Sequence, residues 1–128
     1  MDTLDQLKSR KDAKGGAEIQ VTKGYTAQYP DPICFDAGAS ISVGKQDPDY
    51  PGWFWCHTLS GKEGWVHRSF LAECFGVTKS VCAYNAIELT VNIGERGTLI
   101  SELDGWSYIR LEGGDEGWIP KSHFACAL

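Results

Sequence analysis

Residues 60–66 read Ser-Gly-Lys-Glu-Gly-Trp-Val, and residues 113–119 read Gly-Gly-Asp-Glu-Gly-Trp-Ile. Trp65 answers to Trp118, an offset of 53. At the same offset Gly52-Trp53 becomes Gly105-Trp106, Ser69 becomes Ser122 and Leu71 becomes Phe124. Each copy is preceded by a further echo, Val21-Thr22-Lys23-Gly24 and Val77-Thr78-Lys79-Ser80. A period of roughly 54 residues marks two copies of one small unit.

Outward from these copies, the chain of 128 residues divides into a flexible polar tail over 1–18, a first unit over 19–74 and a second over 75–128. Units of about 50 residues sit near the lower limit of a self-supporting core, and large side chains help them bury enough area. The aromatic content of 12%, with five Trp, supplies those side chains. Residues 72–80 hold no Pro- or Ser-rich spacer, so the last strand of the first unit is expected to run almost directly into the first strand of the second.

The local pattern is β. Ala39, Ile41 and Val43 alternate with Ser40, Ser42 and Gly44, and short aromatic runs occur at residues 53–56 and 106–109. Asp-Pro and Gly-Gly steps separate them, which reads as several short strands with tight turns in a small barrel or sandwich.

Charge narrows the partners. Residues 25–74 carry three Lys/Arg against six Asp/Glu, and residues 75–128 carry four against seven, so each unit is at −3. Nucleic acid and anionic membrane surfaces both select for Lys/Arg, so neither is expected as a partner. Residues 1–18 hold no apolar central stretch, and no window approaches ~18 apolar residues. With five cysteines, an odd number, the expectation is a cytoplasmic protein with reduced thiols.

In order along each copy, three motifs resemble the SH3 domain in its bacterial, variant branch. In the second copy these are Glu88-Leu89-Thr90-Val91-Asn92-Ile93-Gly94-Glu95, then Asp104-Gly105-Trp106, then Gly117-Trp118-Ile119-Pro120-Lys121-Ser122-His123-Phe124. In the first they are Pro32 to Ala39, Gly52-Trp53-Phe54-Trp55-Cys56, and Gly64-Trp65-Val66-His67-Arg68-Ser69-Phe70-Leu71. The resemblance implies an all-β protein of two tandem SH3-like small β-barrels.

It also implies an aromatic groove that binds an extended peptide. Carried over by motif, that groove is Tyr29, Trp53 and Phe70 in the first unit and Tyr84, Trp106 and Pro120 in the second. His67 stands where the family's groove proline would be, and Trp55 shares the face of Trp53 because alternate strand residues point the same way. Trp53 is expected to face solvent beside Tyr29 and Phe70. The loop after the first strand is short in both units, which disfavours a standard Pro-x-x-Pro ligand.

Catalysis, metal binding and cofactors are not expected. Only Cys56 and His57 are neighbours among the five Cys and three His, and zinc sites need closer ligand groupings. Adjacent strand residues point to opposite faces, so even this pair does not converge. The function expected is therefore a non-enzymatic adaptor or regulatory module binding a protein or extended peptide, monomeric or weakly homodimeric. Peptidoglycan binding and structural self-association are the alternatives.

Overall fold

The computed structural model describes residues 16–29 and 31–127. The expected tail lies outside the described residues except at its end, where Ala17 and Glu18 already belong to a strand. Among the described residues there are twelve strands and no α-helix. The strands are β1 (Ala17–Val21), β2 (Cys34–Phe35), β3 (Ile41–Gln46), β4 (Trp53–Thr58), β5 (Glu63–His67), β6 (Leu71–Cys74), β7 (Val77–Ser80), β8 (Tyr84–Asn85), β9 (Arg96–Leu103), β10 (Trp106–Leu111), β11 (Glu116–Pro120) and β12 (Phe124–Cys126). Single 3₁₀ turns, Arg68–Phe70 and Lys121–His123, precede β6 and β12.

The grouping in space differs from the division along the sequence. Among the described residues, one compact unit falls within 28–88; the other joins residues 16–27 with residues 89–127. We refer to them as the inserted and the split unit.

In the split unit a five-stranded antiparallel sheet runs in the order β11-β10-β9-β1-β12. Ile19, Val21, Leu89, Val91, Ile109, Leu111 and Ile119 form its buried core, with Tyr25, Leu99 and Phe124 packed against it. Ile19, Ile109 and Ile119 are at most 1% exposed; burying such a side chain contributes about 2 kcal/mol. Gly97 is required by a close approach, since a Cβ there would lie 2.4 Å from the carbonyl oxygen of Arg110.

The inserted unit holds a three-stranded meander β3-β4-β5, a hairpin β6-β7 and the short pair β2-β8. Ile33, Ile41, Cys56 and Val66 are buried. Gly64 lies under Ile33, whose Cγ2 would be 2.7 Å from an added Cβ. That contact accounts for the glycine before Trp65.

The pairings show which strands of the repeat are equivalent. In the split unit the amide of Val21 donates to the carbonyl of Glu95, and Gly94 donates to Val21. In the inserted unit the amide of Ser80 donates to Ala39, and Gly38 donates to Ser80. Val21 pairs with Phe124 as Ser80 pairs with Leu71. Tyr25 bridges Val91 as Tyr84 pairs with Phe35. Hence β1 does in the split unit what β7 does in the inserted one. In chain order β1 precedes β2–β6 yet pairs with β9 and β12, and β7 precedes β9–β12 yet pairs with β6; we refer to this arrangement as the strand exchange.

The cause is the join. β6 and β7 are connected only by Phe75 and Gly76, and Cys74 pairs with Val77 across the turn. Two residues can connect antiparallel neighbours and nothing more distant. Once β7 occupies the edge of β6, β1 finds the equivalent edge on β12.

Candidate functional site

In the inserted unit β4 and β5 pair residue for residue: Trp53 with His67, Trp55 with Trp65, Cys56 with Gly64 and His57 with Glu63. Residues directly opposite share a face and touch. One face therefore carries a ladder of Trp53–His67, with centroids 5.1 Å apart, Trp55–Trp65, also at 5.1 Å and nearly perpendicular, and His57–Glu63 at 3.1 Å. The opposite face carries Cys56 and Val66 into the core. Burial pushes the Cys56 thiol up to about 11, partly offset by a hydrogen bond with the Gly44 backbone.

Two parts of the expected groove are corrected. Trp53 is not solvent-facing: it is 4% exposed, edge-on against a His67 that is 5% exposed. The shared face of Trp53 and Trp55 follows from strand alternation, but alternation does not say what covers a face. Tyr29 accordingly meets Trp55, at 5.6 Å between centroids, and Trp65, whose indole N–H donates to its hydroxyl at 3.4 Å.

The second correction follows from the strand exchange. Tyr84, expected beside Trp106 and Pro120, lies in the inserted unit against Phe70, at 4.6 Å, and Phe35, at 5.5 Å. Its hydroxyl donates to the Trp65 carbonyl at 2.8 Å, and burial drives its ionisation far upward. In the split unit Trp106 sits opposite Pro120 in register, and its aromatic neighbour is Tyr25, at 5.9 Å. Tyr25 also meets His123 at 5.5 Å. Tyr25 was missed in the sequence. The signal was there, because Tyr25-Thr26-Ala27 and Tyr84-Asn85-Ala86 share a Tyr-x-Ala step.

On this ladder the accessible aromatic rings are therefore Tyr29, Trp55 and Trp65. Tyr29 is 39% exposed, and the two indoles are half-buried. Lys62 reaches Asp31 at 2.7 Å, tying the segment that carries Tyr29 to the β4–β5 turn. Beside the rings, Glu63 accepts from the Trp55 indole N–H at 2.9 Å and faces His57 Nε2.

The split unit repeats this ladder in chemistry and register. Tyr108 and Trp118 are paired, with centroids 5.3 Å apart, and Arg110 is paired with Glu116. Arg110 Nε donates to Glu116 at 2.7 Å, and the Tyr108 hydroxyl donates to the same carboxylate at 3.2 Å.

Among the described residues no group of three or more His, Cys, Asp or Glu is placed to hold a metal ion. No helix among them is long and apolar enough to cross a membrane. The chain matches no solved structure. Residues 19–74, which carry β1 of the split unit and β2–β6 with the aromatic ladder of the inserted one, match the family model of the variant SH3 domain.

Proposed function

We propose that the chain is a non-enzymatic protein-binding module built from two SH3-like copies with exchanged first strands. It acts as an adaptor or regulatory protein on an extended peptide or a protein surface. The observation that carries this reading is the half-exposed set of Tyr29, Trp55 and Trp65 on a chain whose residues 19–74 match the variant SH3 domain. Aromatic side chains grouped at a surface are the usual anchors of protein recognition.

The covered Trp53 and Tyr84, at 4% and 7% exposure, leave little open groove for a polyproline helix. Binding is therefore assigned to the ladder side of the β4–β5 hairpin, whose counterpart in the split unit is the Tyr108–Trp118 rung; Trp106, Pro120 and Tyr25 correspond instead to the covered Trp53, His67 and Tyr84. Capture from lysate of the source organism tests it, comparing the native protein with Trp55→Ala. A protein retained by the native chain and lost by the variant supports the reading. Equal recovery by both removes the aromatic set from it.

Self-association is a second reading, favoured by one observation: Phe75, at the β6–β7 turn, is 100% exposed. Sedimentation of the native protein against Phe75→Asn measures it directly.

A further inference from the structure

We infer that the strand exchange also forms between two copies of this chain, which open the Phe75-Gly76 turn and trade the segments on either side of it to make a closed dimer. The inference rests on the self-association reading above and names the second copy and the way it is held.

Neither segment completes a core alone. The segment before the turn carries β1–β6, and the segment after it carries β7–β12. β1 brings Ile19 and Val21, each 1% exposed, into a core whose other members, Val91, Ile109 and Ile119 among them, come from the later segment. In the opposite sense, Tyr84 of the later segment is buried against Phe35 and Phe70 of the earlier one. β7 is fastened in the same way. The Ser80 hydroxyl donates to the Asp36 carbonyl at 2.6 Å and accepts from the Ala39 amide at 2.9 Å. Each segment therefore needs a copy of the other to bury its apolar side chains. A second chain supplies that copy with the same contacts.

The closed turn carries a cost that the open one does not. Two residues connect β6 to β7 only with both in the left-handed region, Phe75 at φ 52° and Gly76 at 77°. A side chain with a Cβ is disfavoured there, and the Phe75 ring, 100% exposed, gains no packing in return. When the turn opens, these residues pass from one body to the other and need no positive φ. The penalty is then relieved once in each chain. No strand pairing is given up, because β6 meets β7, β2 meets β8, and β1 meets β9 and β12 of the second copy. Short connections under strain favour this kind of swapping. Reciprocal exchange pairs every strand, so the assembly closes at two.

The full chain is refolded from urea at high and at low protein concentration, and the products are separated by size. Reducing buffer keeps the exposed Cys34, Cys74 and Cys126 from cross-linking the copies. A dimer is expected at high concentration. Isolated and diluted, it should persist for hours and revert at the rate of global unfolding, faster in step with that rate as urea is added, because the segments separate only by unfolding. Asn visits the left-handed region more readily and two turns open per dimer, so Phe75→Asn should weaken dimerisation by roughly tenfold or more.

A dimer that dissociates during the separation overturns the exchange between copies and leaves self-association standing. A persistent dimer formed equally well by Phe75→Asn overturns it too, since the turn would not be what drives it. Absence of a dimer at every concentration overturns both readings.

Discussion

Replacing Phe75 by Asn should make the protein more stable. Phe75 occupies the first central position of the β6–β7 turn with φ of 52°, followed by Gly76 at 77°. Two successive positive φ values are the pattern of a type I′ hairpin turn, which favours Asn-Gly or Asp-Gly. The β9–β10 turn obeys that rule, with Asp104 at 39° and Gly105 at 95°. Phe75 breaks it, and a bulky residue in the left-handed region costs roughly 1–2 kcal/mol. Nothing offsets that cost through burial, because the side chain is 100% exposed. Asn visits this region more readily, so the gain should be about 1 kcal/mol. In urea this raises the midpoint by about 0.5 M at unchanged slope, followed by Trp fluorescence. In a thermal scan of a chain this size it corresponds to about 4 °C. A lower midpoint would refute the argument, since it would mean that the ring is covered in the native protein.

Three further outcomes are expected. Ser107 is fully buried and its hydroxyl finds no hydrogen-bond partner among the described residues, so Ser107→Ala should raise stability by about 1 kcal/mol in the same urea assay. Cys56 should resist alkylation at pH 8 in the folded protein, because a thiol raised to about 11 is thiolate to only about one part in a thousand there, while exposed Cys34, Cys74 and Cys126 react; mass mapping of the labelled peptides decides it. His123 is held below its ordinary value, first by burial and then by the Lys23 cation. Its neutral form is therefore the one that folding favours, and its contribution is complete above the usual histidine range and lost as pH falls through the lowered value. His123→Asn should flatten the decline in urea midpoint on going from pH 7 to pH 5; an unchanged decline would assign the acid sensitivity elsewhere.

Much of this architecture can be read from the sequence, and the failures have physical causes. The offset of 53 places β4–β5 and β10–β11 in equivalent registers because hairpin pairing is local and fixed by its turn. The same locality puts Trp53 and Trp55 on one face and Cys56 in the core. Burial of Trp53 is not local, since its depth depends on what packs over the sheet. The strand exchange escapes a reading by motif for a different reason. β1 and β7 have equivalent roles, so either could complete either sheet, and only the two-residue connection between β6 and β7 decides between them. The echo of Val21-Thr22-Lys23 with Val77-Thr78-Lys79 also misleads, because the pairings align Val21 with Ser80 instead. That shift of three residues hides Tyr25. Glu63 was legible in the repeat as a shared acid, but its partner at position 57 gains meaning only beside Arg110.

The exchanged strands make the inserted unit a circular permutant of the split one: the strand that opens one sheet in chain order closes the other. Its two ends meet, as the Gln28 amide donates to the Glu88 carboxylate at 2.8 Å. Excision at those ends would release a segment with its full set of strands. A cut in the β6–β7 turn, the apparent boundary of the repeat, would instead leave two fragments joined through each other's strands. Each would present an open sheet edge shaped for the strand held by its counterpart. The molecule is thus laid out as a pair of complementing halves, and a single nick at Phe75 would turn an intramolecular exchange into a heterodimer.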